Sequence, residues 1–409
     1  MEQAFVDRIN AQSAYEFART GPPEGFPKLP DLPLGRYTDD DMWELEYQHV
    51  FGRNWMFVSH ASELPGAGDY RTVDVVGRPL VLVRGDDGVV RAFFNACRHR
   101  GAPVVRDECG TCRLMVCQYH SWSYDHAGRL VRVPDERDFV GLQPDERALV
   151  GVRCEAWGGL LFVNLDADAE PLLSWLGPLV DELDEVAHAD LRVVTRLSTT
   201  HRCNWKIMAE GFLEVYHAKT IHPTTVAGVL RPAGAAISLV RNGHSRMYTP
   251  LSEAVIASGR ESHRDLPSID GLGELFDTTN PAYGIFPNLI TPLDKVGFPI
   301  LQFWPEAVDR TRLERVWLGS ADGVEPERHA AWDRRLPAFE VVMEEDTKNL
   351  EPIQRSVETA AHGGIPLNYQ ERRIWHLHAT IDRNIAAAAG ADAVPEQLRL
   401  PDLLAAWVD

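Results

Sequence analysis

The chain has 409 residues, 44% of them hydrophobic and 25% charged, with a formal net charge of −19. That length suits two or three domains with sizeable cores, and the acidic balance argues against nucleic acid, whose phosphates need clustered Lys and Arg. No stretch approaches the ~20 apolar residues of a membrane span and no basic-then-apolar leader opens the chain, so a soluble cytoplasmic protein is expected.

In chain order, residues 1–20 read as a short polar helix, and Gly21 to Pro33 as a Pro-rich connector. A second helix is expected from about Asp39 to Phe51. From Asn54 to about Gly158 the pattern changes to short β-branched and aromatic runs broken by Gly and Asp. Tyr70 to Val75 alternates polar and apolar residues, the period-2 strand signal. Leu80 to Val83, Gly85-Asp86-Asp87-Gly88 and Val89 to Phe94 read as a hairpin. Beyond Leu161-Phe162-Val163-Asn164 the pattern becomes α+β. Helices are expected near 171–187, 204–221 and 326–360, and strands near 191–200, 283–290, 298–304 and 312–320. The segment 225–280, rich in Gly, Ser and Pro, reads as loops forming a lid or pocket entrance. There is no internal repeat.

Two clips carry the first chemical signal: Cys97-Arg98-His99, then Cys117-Gln118-Tyr119-His120. Two thiolates and two imidazoles can hold a [2Fe–2S] cluster with Cys on one iron and His on the other, the Rieske arrangement. Zinc is the rival, because Cys109-Gly110-Thr111-Cys112 adds a CxxC that could complete a four-ligand site. Each Cys–His clip already supplies one ligand of each kind, however, so four ligands are complete without Cys109 or Cys112. Six Cys in the whole chain make no disulfide framework, and Cys154 and Cys203 read as core residues.

The second signal is Glu214-Val215-Tyr216-His217 followed by His222-Pro223. On a continuous helix, Glu210, Glu214 and His217 share one face at i, i+4 and i+7. His222 lies about 140° around that helix from His217, so the two share a metal only if the helix ends between them, as Pro223 encourages. Two His and one carboxylate form the facial triad of non-haem Fe(II) oxygenases. The carboxylate must come from elsewhere; Asp346 is read as opening a helical stretch in Glu344-Glu345-Asp346-Thr347-Lys348-Asn349.

These residues resemble the large (α) subunits of Rieske non-haem iron oxygenases, of the ring-hydroxylating type, over nearly the whole chain. The resemblance includes Cys97 to Ala102, Cys117 to Trp122, Asn204-Trp205-Lys206, Glu214 to His217, His222-Pro223, Glu345-Asp346 and Gln370-Glu371. It implies that Cys97, His99, Cys117 and His120 bind the [2Fe–2S] cluster and that His217, His222 and Asp346 bind a mononuclear Fe(II). The implied fold is α+β: an all-β Rieske domain inserted in a helix-grip catalytic domain, an antiparallel sheet with a long helix. Such subunits form head-to-tail trimers, some with a small β subunit, and the acid at the position of Glu214 bridges the two centres between neighbours. Ring dioxygenases of the naphthalene and biphenyl type carry Asp there; Glu with this compact spacing resembles members acting on quaternary amines such as carnitine or betaine.

The expected domains are a helical arm at 1–44, the Rieske domain at 45–157 and the catalytic domain at 158–409. The expected function is a terminal oxygenase, a mono- or dioxygenase. It uses O2 and electrons from NAD(P)H, delivered by a separate ferredoxin or flavin reductase, to hydroxylate a small aromatic or alicyclic substrate, as in aromatic hydrocarbon catabolism. Quaternary-amine monooxygenation (demethylation) is the alternative, and a purely electron-carrying Rieske protein a second. Met208, Phe212, Leu213, Val226, Phe286, Asn288, Phe303 and Trp304 are candidate substrate-pocket residues.

Overall fold

Asp39 caps the second helix by accepting a hydrogen bond from the Met42 amide at 2.9 Å, and Asp40 and Asp41 follow in its first turn. Carboxylates there satisfy free N–H groups and favour the helix dipole. This cap starts α2 (Asp40–His49), which follows α1 (Gln3–Ala18) and the connector. In the computed structural model, residues 2–259 and 265–409 are described; Arg260 to Arg264, inside the segment read as loops, lie outside the described residues. The chain divides into two units, one made of Met1–Phe51 and Leu173–Asp409, the other of Gly52–Leu172.

The Gly52–Leu172 unit is all-β. Its strands are β1 (Met56–His60), β2 (Asp69–Val75), β3 (Arg78–Arg84), β4 (Val90–Phe94), β5 (Cys109–Thr111), β6 (Met115–Val116), β7 (Ser123–Tyr124), β8 (Leu130–Arg132), β9 (Gly151–Trp157) and β10 (Leu160–Asn164). They form a seven-stranded sheet, β1-β10-β9-β4-β3-β2-β5, and a three-stranded one, β6-β7-β8. The expected hairpin is the β3–β4 pair, turning through Gly85 to Gly88. β10, which the sequence reading places in the catalytic domain, pairs here with both β1 and β9. Its five residues are all buried, and its backbone groups find partners along both edges.

The other unit begins, after α1 and α2, with three short helices, α3 (Leu172–Leu176), α4 (Leu179–Glu182) and α5 (Asp184–His188), where one helix was expected. Gly177, with φ +60, and Pro178 separate α3 from α4. Next come β11 (Leu191–His201), α6 (Trp205–Phe212) and α7 (Ala218–Ile221). Residues 225–280 are not loops alone: β12 (Ala236–Leu239), β13 (Ser245–Pro250), α8 (Glu253–Ser258) and α9 (Leu275–Thr278) occupy much of them. Burial of β12 and β13 between neighbours, rather than periodicity over these short runs, makes them strands. β14 (Thr279–Ile285), β15 (Leu289–Pro292), β16 (Phe298–Ala307) and β17 (Arg310–Ser320) complete an antiparallel sheet, β11-β17-β16-β15-β14-β13-β12. The long C-terminal pattern divides into α10 (His329–Thr347) and α11 (Leu350–Glu358), followed by α12 (Arg372–Ala389). A seven-stranded antiparallel sheet with an 18-residue helix packed on it is the α+β catalytic architecture expected above.

A buried ion pair ties α2 to α6. Lys206 Nζ donates to Glu46 Oε1 at 2.7 Å, and the indole N–H of Trp205 donates to Glu46 Oε2 at 2.8 Å. Truncating either partner strands a charge in the core, typically at a cost of about 3–5 kcal/mol.

Candidate functional site

The two Cys–His clips fold alike. Cys97 N–H donates to Ala102 O at 2.8 Å and Gly101 N–H returns to Cys97 O at 2.9 Å. Cys117 N–H donates to Trp122 O at 2.9 Å and Ser121 N–H returns to Cys117 O at 2.8 Å. Gly101 and Ser121, each four residues after its Cys, both take left-handed backbone, φ +76 and +59. The clips follow β4 and β6 and present Cys97 and Cys117 buried, His120 exposed, and the two imidazoles 4.6 Å apart. His99 stacks on Trp122 at 5.0 Å, and its Nδ1 is buried without a hydrogen-bond partner. A ring nitrogen left orphaned in this way fits a metal as the missing partner. The Tyr124 hydroxyl accepts from Arg98 N–H at 3.0 Å and lies 3.3 Å from Cys97 Sγ, so its own proton is available to that sulfur.

A single tetrahedral zinc needs its donors mutually close. Among the described residues, the group of three or more His, Cys, Asp or Glu whose donor atoms lie within 4.8 Å of one another is His217, His222 and Asp346. The four clip residues are more widely spread, as two irons require. Cys109 is exposed and Cys112 half-buried, neither joining the clips in such a group. Cys203 is buried, whereas Cys154 is half-buried on β9.

The second site corrects the helical reading of residues 204–221. Asn204 caps α6 through the Lys206 amide at 3.0 Å, but α6 ends at Phe212. Glu210, Glu214 and His217 therefore share no helix face. Glu210 is half-buried against the Tyr37 hydroxyl at 2.9 Å and His378 Nε2 at 2.8 Å. Glu214 lies in the connecting loop, where its Oε2 accepts from the Tyr216 and His217 amides and its Oε1 meets His217 Nδ1. The four-residue α7 then separates His217 from His222, whose φ/ψ of −115/51 leaves the helix just before Pro223. That break turns both imidazoles onto one carboxylate. Asp346 Oδ1 lies 2.8 Å from His222 Nε2 and 3.4 Å from His217 Nε2.

Asp346 does not open a helix; it sits in the last turn of α10. Its neighbour Glu345 faces the other side of His222, accepting from Nδ1 at 2.7 Å and from Thr225 Oγ1 at 2.5 Å. Glu344 is exposed. Each imidazole thus has Nδ1 held by a glutamate and Nε2 turned toward Asp346, the arrangement that orients metal-ligating histidines. The role of Glu345 was missed from sequence, where it appears only as part of the acidic run beside Asp346. A carboxylate beside a proposed ligand, one position off in an acidic run, is the signal that could have found it.

The electrostatics suit a cation. Burial disfavours a charged imidazole at His217, yet hydrogen bonds to Asp346 and Glu214 raise it to about 10. Burial likewise opposes ionisation of Asp346, but the two histidines hold its pKa below the ordinary value. Glu345 is lowered by Thr225 and His222. Carboxylates on both sides of two imidazoles leave a demand for positive charge, so the donor set fits a divalent metal.

His217, His222 and Asp346 line a cavity of about 470 Å³ whose wall is mostly apolar and includes Val229, Leu230, Met247, Leu251, Leu301, Phe339, Val342 and Met343. Of the candidate pocket residues, Phe212 and Val226 line it. Leu213, Phe286, Asn288 and Phe303 instead surround a separate void of about 20 Å³. Met208 and Trp304 line neither and are buried in the core. Strand parity explains Trp304: Pro299 and Leu301 of β16 face the cavity, so residue 304 falls on the opposite face. Met208 is one turn farther back along α6 than Phe212.

Residues 54–146 match the Rieske [2Fe-2S] domain, and residues 188–387 match the catalytic domain of ring hydroxylating alpha subunits. The carnitine monooxygenase oxygenase subunit of Escherichia coli (strain K12) is 36% identical over 208 residues, 49% of this chain and 55% of that protein. The biphenyl 2,3-dioxygenase subunit alpha of Rhodococcus jostii (strain RHA1) is 36% identical over 210 residues, 49% of this chain and 45% of that protein. This chain thus spans about half the length of the curated relatives it matches. Among solved structures, a quaternary ammonium Rieske monooxygenase superposes with TM-score 0.74 at 22% identity, covering 90% of this chain and 99% of the other. Naphthalene 1,2-dioxygenase from Rhodococcus sp. gives 0.73 at 22% identity, covering 95% and 99%; at this identity both show the fold alone. Domain matches and donor geometry agree: the chain joins a Rieske [2Fe–2S] domain to a catalytic domain of the ring-hydroxylating alpha-subunit kind, which in that family binds mononuclear iron.

Proposed function

We propose that this chain is the terminal oxygenase of a multicomponent system, taking electrons from a ferredoxin or flavin reductase and hydroxylating a small, largely apolar organic substrate. Cys97, His99, Cys117 and His120 hold the cluster, and His217, His222 and Asp346 hold Fe(II). When bound, these groups supply one-electron transfer and reductive activation of O2. The protein's own part is arrangement. Glu214 and Glu345 fix the imidazole tautomers by accepting from Nδ1–H, the two Nε2 atoms and the Asp346 carboxylate converge as the donors that would hold the metal, and the apolar wall excludes water from the cavity. Glu214 is further proposed as the bridge to His120 of a neighbouring copy in a homotrimer, with or without a small β subunit.

The convergence of two Nε2 atoms and one carboxylate on a mostly apolar cavity carries this reading. An electron carrier alone has no use for that second site. Monooxygenation of a quaternary amine is the second reading, favoured by Glu at position 214 and by the likeness to the carnitine monooxygenase oxygenase subunit. A cation of that kind is recognised by aromatic faces, and the aromatic side chains on the cavity wall are Phe212, Trp317 and Phe339.

Iron and acid-labile sulfide analysis, followed by O2 uptake with a surrogate reductase across apolar and quaternary-amine compounds, tests both readings. Substrate-dependent O2 uptake with oxygenated product is expected. Stoichiometric zinc and no sulfide in protein made with intact cluster-assembly machinery would refute the proposal.

A further inference from the structure

Asp346 and Glu214 lie at the donor end of the cavity; at the other end Arg335, the only Lys or Arg on the wall among the described residues, stands beside Asp294, which also lines it. Both Arg335 and Asp346 belong to α10. Eleven residues apart, they stand ~16 Å apart along the helix and only ~20° around it. Phe339, Val342 and Met343 fill the same stripe between them and line the same cavity. One helix face therefore leads from an acidic donor end, across apolar side chains, to a single cation.

Arg335 is held in place but not saturated. Its Nη2 donates to Gly297 O at 3.0 Å and lies 3.3 Å from Asp294 Oδ2. Asp294 itself accepts from the Val296 amide at 3.2 Å. The guanidinium stands 5.6 Å from the centroid of Trp317, and its Nε is buried without an acceptor. Nε is closed to the cavity, so what this planar fork, oriented by a ring, offers a carboxylate is its Nη edge, shared with Asp294.

We infer that Arg335 is a specificity residue that binds a carboxylate, so that this site takes an apolar organic acid with its hydrocarbon skeleton toward His217, His222 and Asp346. The two carboxylates at the donor end repel the same group with no Lys or Arg of the wall beside them, whereas Arg335 offsets Asp294, and this difference fixes the orientation. The inference rests on the oxygenase reading for the reaction, but not for the binding.

The test uses matched sets of carboxylate, methyl ester and hydrocarbon, built on one ring, two fused rings and linear C8–C12 chains. Binding to the holoprotein is followed by calorimetry and tryptophan fluorescence, and turnover by KM and kcat. In at least one set the acid should bind tenfold or more tightly than its ester. Arg335→Gln should collapse that ratio toward one, chiefly through KM, and Arg335→Lys should restore part of it. A merely structural Arg335 would weaken acid and ester alike and leave the ratio unchanged. That result, or wild-type protein with no preference for the acid in any set, overturns the inference. Arg335-dependent binding of an acid that is never oxygenated, with a reducible cluster and iron in place, would instead uphold the ligand class and remove the oxygenase reading.

Discussion

The two candidate metal sites are built in opposite ways. In the all-β unit, each pair of donors comes from one short turn, and the two turns repeat the same backbone hydrogen bonds and the same left-handed residue. In the catalytic unit, the donor set depends on segments far apart in sequence: His222 and its partner Glu345 are 123 positions apart. A locally built site is fixed by spacing, because the turn geometry dictates where its side chains go. A site assembled across a fold is fixed by packing, and it tolerates fewer changes in the elements that carry it.

The strongest test of that contrast is the independence of the two sites. His217→Ala, His222→Ala and Asp346→Ala should each lose the mononuclear iron, since Fe(II) ranks low in affinity and loses one of three protein donors. Acid-labile sulfide should stay near wild type in all three. Cys97→Ala should abolish the brown colour, and Cys109→Ala should leave it. Sulfide loss in the His217 variant would show that the sites depend on each other.

Next in size is Glu214. Glutamine preserves an oxygen for the Tyr216 and His217 amides but offers one acceptor where the carboxylate offers two. Glu214→Gln should therefore keep both metals and a reducible cluster while product formation nearly stops. Mixed assemblies of Cys97→Ala and His217→Ala chains sharpen this. Recovered activity is expected if electrons cross between subunits; strict zero in well-formed mixtures would confine transfer to one chain. Glu345→Ala, which frees His222 Nδ1 without removing a donor, should cost about 10–100-fold in iron affinity, read by metal competition.

The cluster residues were legible because Cys, His and their spacing are local. His217, His222 and Asp346 were legible through motif resemblance, but the reason first given for their meeting was incomplete. The stripe Glu210–Glu214–His217 assumed one helix, and α6 stops at Phe212. Glu214 reaches His217 Nδ1 as part of a loop, not from one turn below. The pocket was the least legible part. Arg335, Val342 and Met343 belong to it through the face of α10 that meets the sheet, and no pattern near the histidines points there. Phe303 and Trp304 looked equally suitable, yet their burial is in core packing.

Glu210 sets a structural carboxylate apart from the two that hold the candidate iron-ligand imidazoles. Burial outweighs the Tyr37 hydrogen bond and raises it to about 8. Arg36 Nε donates to His378 Nδ1 at 2.8 Å, which leaves the Nε2 proton of His378 for Glu210. Because the folded pKa lies above the unfolded one, the folded state keeps a proton that the unfolded state releases. This contribution is fully present below about pH 4.5, and it is lost as pH rises toward 8. Glu210→Gln, which stays neutral, should flatten that part of the profile by an amount on the order of 2–4 kcal/mol. Denaturant titrations at pH 5 and 8.5 measure it; parallel profiles for the two proteins would place the carboxyl's titration elsewhere.

The smallest expected effect bears on the repeated turn itself. Gly101 and Ser121 occupy equivalent positions with positive φ, and a β-carbon at Gly101 would meet nothing within 4 Å. Gly101→Ala should therefore cost only the conformational penalty of left-handed backbone, about 1 kcal/mol, and should leave the cluster spectrum unchanged. Ser121→Gly relieves the same penalty in the second clip, but a more flexible unfolded chain offsets part of the gain, so stability should change by less than about 1 kcal/mol. The two variants together report whether the turns are interchangeable. Loss of the cluster in Gly101→Ala alone, with its turn otherwise unobstructed, would show that the first clip needs glycine for close approach to the metal, and the likeness between the clips would then end at the backbone.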